Sequence, residues 1–503
     1  MRRRLLALAL AAAFSAPGTP AFAMDLISAV RAAAEIDPVL ASARAQLAAT
    51  RERVPQAQAG LKPTVNATAN ANYTVVDTSI APTRDFDSQS LGMLASVPIY
   101  RPANREVLAQ SELAAQAAEL ALSQARQDMI LRVATAYFEV LAAQDSLSVV
   151  RAQKQAFTEQ YESARRNFEV GTATITDQQE AQSRLDLTRA QEAGIENDLE
   201  VRRALLAQLV GKPVSEMFSL RREVPVLAPD ASREGEWAQV ARAQNYGVRQ
   251  AELAGEIAKR EIERQRFGHY PTLDGVVQGT YGRSTNAALN AALSGVRTAT
   301  GVVGLQFSMP LYTGGAVDAR VREAIALQDR AQFDLENARR VAEQGARQTF
   351  LGVKSGLEQV RALEAAQKSS QLALESNQLG YQVGVRINID VLNAAQQLFS
   401  TQRDLARARY DVLLNGLRLK NTAGDLTEAD VERINGLLEP YRPPEPPKPA
   451  PPLPGTARPA APAGAAPAAP AAPAARPAAP AAPAGGTAPT VRGGRSSQPV
   501  APR

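Results

Sequence analysis

The chain has no cysteine, a single histidine and a single tryptophan. Without cysteine there is no disulfide framework, no thiolate metal site and no lipid anchor on an N-terminal cysteine. The lone His269 stands beside Tyr270-Pro271 at the entrance to a strand, so an imidazole metal cluster is excluded and no metal is expected. No phosphate-binding loop, G-x-S-x-G elbow or dinucleotide fingerprint occurs either. Thr313-Gly314-Gly315 sits at a strand-to-helix join, where turn geometry alone accounts for glycine. The expectation is no catalytic residue, no cofactor and no enzyme. The 56 basic residues nearly balance the 51 acidic ones, several of the arginines lying in a C-terminal tail, which argues against a nucleic-acid surface. Beyond the first two dozen residues no run reaches the roughly 18 apolar residues that a membrane-spanning helix needs.

The two ends are set apart by composition. Arg2, Arg3 and Arg4 precede a short apolar run, Leu5 to Phe14, and Ala21-Phe22-Ala23 forms a small-residue cleavage site. Residues 1–23 therefore read as a secretory signal peptide, and the mature chain starts at Met24. Residues 442–503 are dominated by proline, alanine and glycine and hold almost no large apolar side chains. Such a segment cannot bury enough surface to offset its ordering entropy and is expected to be disordered.

Between the ends, the chain is written twice. Val170-Gly171-Thr172-Ala173-Thr174-Ile175-Thr176-Asp177 recurs as Val383-Gly384-Val385-Arg386-Ile387-Asn388-Ile389-Asp390. Val97-Pro98-Ile99-Tyr100 recurs as Met309-Pro310-Leu311-Tyr312, and Lys62-Pro63-Thr64 as Tyr270-Pro271-Thr272. The order of parts is kept, so residues 24–211 and 236–425 are two structural repeats. Residues 212–235 join them and residues 426–441 follow.

Each repeat holds helices far beyond ordinary length. After Pro102 no proline occurs up to residue 168, and Leu113, Leu120, Ile130, Val133, Tyr137, Val140 and Leu147 keep a spacing of three and four. That predicts a rod of roughly 100 Å, copied at residues 317–380. A second helix follows each motif, at 173–211 and 388–423. In the latter, Val391, Leu398, Leu405, Val412 and Leu419 recur every seven residues, with Ala394, Thr401, Ala408 and Asn415 as small or polar companions. A strict period of seven implies supercoiling, and small companions allow many helices to lie side by side. In the first copy Leu185, Leu199 and Leu206 hold the register and Glu192 breaks it.

Four segments alternate with period two instead: residues 61–77, 88–100, 271–285 and 297–312. Val65, Ala67, Ala69, Ala71, Tyr73 and Val75 share one face, with Asn66, Thr68, Asn70, Asn72 and Thr74 on the other. Leu91, Met93, Ala95, Val97 and Ile99 share a face, as do Leu273, Gly275, Val277, Gly279 and Tyr281, and Val303, Leu305, Phe307, Met309 and Leu311. One apolar and one polar face is the pattern of a membrane barrel, with hairpin loops expected at Asp77–Phe86 and Asn286–Ser294. A soluble hairpin packed on helices would not repeat asparagine and threonine so regularly behind its apolar face. A closed barrel needs about eight strands or more, and an open edge cannot face lipid. The wall must therefore be shared between copies of the chain.

At this point the sequence resembles the TolC family of trimeric outer-membrane export channels. The resemblance rests on the signal peptide, the duplicated helix–strand–strand–helix plan and Tyr381, Val383, Gly384, Arg386, Asp390, Val391 and Leu392, with Asn167 to Gly171 and Ile175-Thr176-Asp177 as partner. It spans roughly residues 24–438. It implies a mainly helical fold: a duplicated long-helix α-barrel in the periplasm plus four strands per chain completing a 12-stranded β-barrel in outer-membrane lipid. Residues 212–235 and 426–441 would form an equatorial belt, with Trp237 packed in its helix. It also implies a homotrimer that passively conducts substrates for multidrug efflux or type I secretion. Its partners would be a periplasmic adaptor (membrane fusion) protein and an inner-membrane ABC or proton-driven transporter. An adaptor, or a surface stalk without a pore, is the alternative. An adaptor would lack four alternating strands and a whole-length duplication.

The resemblance carries over site residues as well. Gly171 and Gly384 would make the hairpin turns at the periplasmic tip. Asp177, Tyr381 and Arg386 would hold the gate closed, Arg386 bridging to Asp177 across neighbouring helices. Asp390, one helical turn beyond Arg386, would form a ring of three carboxylates selecting cations. The chain departs from the family pattern at Asn393, where a second acid is usual, and at Arg166, where a glutamine is usual.

Overall fold

The computed structural model describes residues 24–214, 217–221, 234–285 and 297–440. The signal peptide, the tail, the hairpin loop expected at 286–294 and most of the 212–235 connection lie outside the described residues. The first repeat opens with three short helices, α1 (Leu26–Ile36), α2 (Pro38–Arg51) and α3 (Arg53–Ala59). Strands β1 (Thr64–Thr78) and β2 (Ala81–Tyr100) follow, then the rods α4 (Pro102–Glu169) and α5 (Ile175–Val210). After the short strand β3 (Phe218–Leu220) the plan repeats. Helices α6 (Glu234–Gln244) and α7 (Tyr246–Arg266) lead to β4 (Thr272–Ser284) and β5 (Arg297–Ser308), then to α8 (Ala316–Gln382) and α9 (Asn388–Ala423). Helix α10 (Glu428–Asn435) and strand β6 (Leu438–Pro440) close the described chain.

Helices α4 and α8 have 68 and 67 residues. At ~1.5 Å per residue each is about 100 Å long. Along each rod two shorter partners lie end to end: α2 and α3 then α5 on α4, and α7 then α9 on α8. Helix α4 also packs on α7 and α9, which joins the repeats side by side. The heptad residues Val391, Leu398, Leu405, Val412 and Leu419 are all buried. Glu192, which breaks the register in α5, is held by Lys154 at 2.5 Å and Arg151 at 3.4 Å, so its carboxylate is paired where it leaves the apolar stripe.

The close approach of α8 to α9 has a cause that the heptads did not reveal. Gly345, Gly352 and Gly356 on α8 face Thr422, Asn415 and Val412. A Cβ at Gly356 would lie 2.8 Å from Cγ2 of Val412, nearer than two carbons can sit. At the upper end, Glu261 ties α7 to α4. Arg264, with the amides of Gln110 and Gln265, holds its carboxyl down at about 2, against the opposing effect of burial. The stability this link contributes is therefore full above the ordinary glutamate range and is lost as pH falls from there to about 2.

The largest apolar core lies where the middle of α4 meets α1, α5, α9 and α10. Leu26, Val30, Val133, Phe138, Leu206, Leu417 and Val431 meet there with Tyr137 at the centre. The Tyr137 hydroxyl lies 3.1 Å from two carbonyls, those of Met24 and Phe218, and burial raises its pKa. It thereby binds the start of the described chain to β3. Strand β3 pairs with β6 in a small antiparallel sheet that the sequence did not disclose. Trp237 lies half-buried on α6.

The four long strands form one antiparallel sheet in the order β1-β2-β4-β5. Its register puts the alternating faces together. Ala67 faces Met93, Met93 faces Gly279 and Gly279 faces Gly301; Ala95 faces Val277 and Val277 faces Val303. Opposite residues point to the same side of a sheet, so the four apolar rows merge into one surface. From Leu273 to Tyr281 that surface runs about 26 Å along the strand, the scale of a membrane barrel's apolar band before tilt. Toward the loops it turns polar, where Tyr73 faces Asp87 and Gln89 faces Arg283. The expected loop at 77–86 is mostly strand: Thr78 faces Ala81, leaving a two-residue connection, Ser79-Ile80. Strand β5 stops at Ser308 rather than at residue 312, because β4 has no residue left to pair with it beyond Thr272.

Replacing Gly356 with alanine sets a gain of up to ~1 kcal/mol in helix propensity against an overpacking cost of roughly 1–3 kcal/mol. Valine is stiff at χ1, so the clash dominates and the detergent-solubilised protein should melt earlier. In a Val412→Ala background the same change should become neutral or stabilising. Equal shifts in both backgrounds would show that the two helices do not meet there.

Candidate functional site: the paired helix hairpins at the tip

Each rod turns back through the same hydrogen-bond pattern. At the end of α4, Gly171 takes φ +79°, and the Thr172 amide reaches the Asn167 carbonyl at 2.8 Å. At the end of α8, Gly384 takes φ +77°, and the Val385 amide reaches the Gly380 carbonyl at 2.8 Å. A left-handed residue here closes the helix on its own carbonyls, and glycine adopts it without strain. Gly380 has a second task. A Cβ there would lie 2.7 Å from Cγ of Arg386, so its absence lets the arginine stem fold over the last turn of α8.

The two hairpins differ at the next helix start. Thr174 caps α5: its hydroxyl accepts from the Asp177 amide at 3.2 Å, and the Asp177 carboxylate accepts from the Thr174 amide and hydroxyl at 3.0 and 2.7 Å. This is a closed capping box. In the copy the cap residue is Ile387, which has no side-chain oxygen to offer. Asp390, the counterpart of Asp177, lies instead 3.6 Å from the guanidinium of Arg386. Two differences between the repeats act together here: Ile387 in place of Thr174 leaves the carboxylate without a hydroxyl, and Arg386 in place of Ala173 supplies its ion-pair partner.

The structure brings the sequence-predicted residues to one tip but does not link them all. Tyr381 is half-buried, its hydroxyl 3.4 Å from the side-chain amide of Asn167. Within one chain the predicted Arg386–Asp177 bridge is absent among the described residues, because the Asp177 carboxylate is engaged by Thr174 and Arg386 sits on Asp390. Asn393, in place of a second acid, accepts from Arg184 at 3.1 Å. Arg166 is exposed on the last turn of α4. His269 lies 3.2 Å from Asp318, at the far end of the rods. No helix among the described residues is long and apolar enough to cross a membrane.

A polar ladder that sequence reading missed holds the hairpins together. Gln160 donates to Asn388, and Asn388 donates to the carbonyl of Asp177 at 3.1 Å. Higher up, Gln153 donates to Gln396 at 2.8 Å. Phe157, Leu185, Val391, Leu392 and Leu398 form the apolar plug between these rungs. The signal available in sequence was a glutamine on the otherwise apolar face of α4. Beyond the plug, the very ends of both hairpins are apolar and exposed: Val170, Val383, Val385 and Ile387.

The profile of the outer membrane efflux protein family matches residues 29–212 and 237–425, one segment in each repeat. The chain belongs to the outer membrane efflux protein family. It is 33% identical to the outer membrane protein TolC of Vibrio cholerae, over 87% of this chain and 99% of that one. It is 30% identical to the alkaline protease secretion protein AprF of Pseudomonas aeruginosa, over 82% of this chain and 87% of that one. The solved outer membrane protein VceC from Vibrio cholerae shares its fold, with a TM-score of 0.67 at 20% identity, over 79% of this chain and 96% of that one. The TolC family to which the sequence was likened is thus its own. Within such a family member the two hairpins are copies of one unit, and their difference at Thr174 and Ile387 is the feature most open to test.

Thr174→Ala should cost about 1 kcal/mol, the usual worth of a helix cap. Ile387→Thr should gain a similar amount, by giving Asp390 a hydroxyl to close on. Thermal unfolding in detergent checks both, and shifts of equal sign would refute the asymmetry.

Proposed function

We propose that the chain is one third of a homotrimeric exit duct of the outer membrane, passively conducting substrates delivered from the inner membrane. The observation that carries this reading is the four-stranded sheet, open at both edges, with one continuous apolar face at the head of rods about 100 Å long. Lipid tolerates no unpaired edge. Three copies close a wall of twelve strands, apolar outside and lined by Asn66, Asn70, Asn72, Thr280 and Gln306 inside. The twelve rods continue the bore through the periplasm. Membership in this family supports an export role in efflux or type I secretion, and an adaptor would have no use for a lipid-scale apolar band.

The constriction is at the tip. Within one chain Arg386 rests on Asp390, and a neighbouring chain's Asp177 is its alternative partner. Exposed pairs contribute about 0–1 kcal/mol each. Three symmetric links therefore bias the gate by roughly up to 3 kcal/mol, a barrier that binding energy from a partner can overcome. The exposed Val170, Val383, Val385 and Ile387 offer a periplasmic adaptor an apolar handle at the same place. The adaptor in turn joins the duct to an inner-membrane ABC or proton-driven transporter. Three Asp390 carboxylates around the bore attract cations, and Asn393 keeps the ring to one layer.

Single-channel recording in planar bilayers tests the reading, with trimer mobility on unboiled gels as the control. Arg386→Ser should shift the open-to-closed ratio about tenfold or more, the equivalent of ~1.4 kcal/mol across three links. Unchanged conductance would remove Arg386 from the gate. Asp390→Ala should weaken block by divalent and trivalent cations, while equal block would place that carboxylate away from the bore.

A further inference from the structure

The internal duplication fixes how neighbouring copies pair, residue by residue. The repeats are offset by 208 residues in the first strand, from Pro63 to Pro271, and by 212 in the second, from Pro98 to Pro310. These offsets can be checked inside the chain. Thr64 faces Ser96 in the first hairpin. Shifting them by 208 and 212 predicts that Thr272 faces Ser308, which is the pair observed in the second hairpin.

The chain also contains one junction between repeats, β2 with β4, where Ser96 faces Val276 and Pro98 faces Asp274. In a closed ring of alternating repeats the next junction, β5 with the β1 of another copy, stands in the same relation. Moving Ser96 forward by 212 gives Ser308, and moving Val276 back by 208 gives Thr68. We propose that β5 pairs with β1 of a second copy of this chain in the register Ser308 to Thr68, running from Thr300 opposite Val76 to Pro310 opposite Asn66. The proposal rests on the trimeric reading above and adds its register.

Two independent observations fit this register. The first is packing. On the lipid-facing side Leu305, Phe307 and Met309 would lie opposite Ala71, Ala69 and Ala67, large against small. On the bore side Gln306 would meet Asn70, and Ser308 would meet Thr68, polar against polar. A slip of one residue would set every apolar side chain against a polar one. A slip of two preserves that alternation, so the duplication is what decides between them. The second is length. In β2, residues Val97 and Pro98 extend past the end of β1 and pair only with β4. Their copies, Met309 and Pro310, extend past the end of β4 and have no strand partner in one chain. The register supplies one, Ala67 and Asn66 of the second copy. Strand β5 is exposed along its whole length in the single chain, as an edge awaiting a partner would be.

The absence of cysteine makes disulfide trapping clean. Val302→Cys with Thr74→Cys tests the bore side, and Gly301→Cys with Val75→Cys the lipid side. These cover both hydrogen-bonding classes of antiparallel pair. Within one chain β1 and β5 are three strand spacings apart, ~14 Å, beyond disulfide reach. Any bridge is therefore between copies. Oxidation of the membrane-embedded protein should convert the monomer band to a covalent trimer on boiled, non-reducing gels. The partners two residues off, Val302→Cys with Asn72→Cys or with Val76→Cys, should remain largely monomeric. Faster trapping of an off-register pair overturns the register. So does the absence of any bridge in variants that still run as trimers on unboiled, reducing gels. A wild-type chain that runs as a monomer on those gels instead overturns the channel reading itself.

Discussion

Backbone hydrogen bonds in lipid admit no exceptions, and this chain is organised around meeting that constraint with too few strands. Four strands give one sheet with two unpaired edges. An unpaired edge in hydrocarbon leaves a row of amides and carbonyls, each costing several kcal/mol. Among the described residues no other strand pairs with β1 or β5 along its outer edge. The edges can only be satisfied by other copies. Assembly is therefore a condition of the β portion existing in a membrane at all. The helical portion depends on it less. Its heptad leucines are buried within one chain, and its core around Tyr137 is complete there.

The duplication explains how one chain supplies a fraction of a ring without a special surface for closing it. The junction between repeats and the junction between copies are the same kind of contact. Helix α4 packs on α7 and α9, elements of the second repeat, and β2 pairs with β4. Each repeat thus already carries both halves of a joint. A small number of differences then convert two equivalent units into unequal ones. At the tip the difference is the cap. Thr174 locks the Asp177 carboxylate into the start of α5, while Ile387 leaves Asp390 to Arg386. A helix start without its cap holds its first turn less firmly. The hairpin of the second repeat combines that weaker start with an arginine, Arg386, that the first lacks.

Much of this was legible in sequence, for reasons that differ by element. The rods were, because a period of seven survives any tertiary context and no proline intervenes over residues 103–168. The strand faces were, because alternation requires no knowledge of the partner. Strand ends were less so. The loop expected at 77–86 proved to be largely strand, since Ser79-Ile80 turns the hairpin without the glycine or asparagine that usually signals a two-residue connection. Beyond Ser308 the limit is partner supply and not local propensity. The β3–β6 pair joins residues more than two hundred positions apart and has only three residues per strand, too few for a periodic signal. Close helix approach at Gly345, Gly352 and Gly356 was hidden because glycine in a helix reads first as a weakness.

The site shows the same division. Turn glycines and charged residues were visible as types, but their partners depended on which oxygen reached which donor first. An aspartate three residues into a helix is a capping group when a threonine stands at the cap, and is left to an ion pair when an isoleucine does. Asp177 and Asp390 occupy equivalent positions in hairpins of the same backbone form and carry different electrostatic roles. The electrostatics of the two hairpins is therefore set both by which charged residues are present, Arg386 against Ala173, and by whether a neighbouring hydroxyl has already engaged the carboxylate. A hydroxyl at position 387 would convert Asp390 from the partner of Arg386 into a cap, without altering a single charge at the tip.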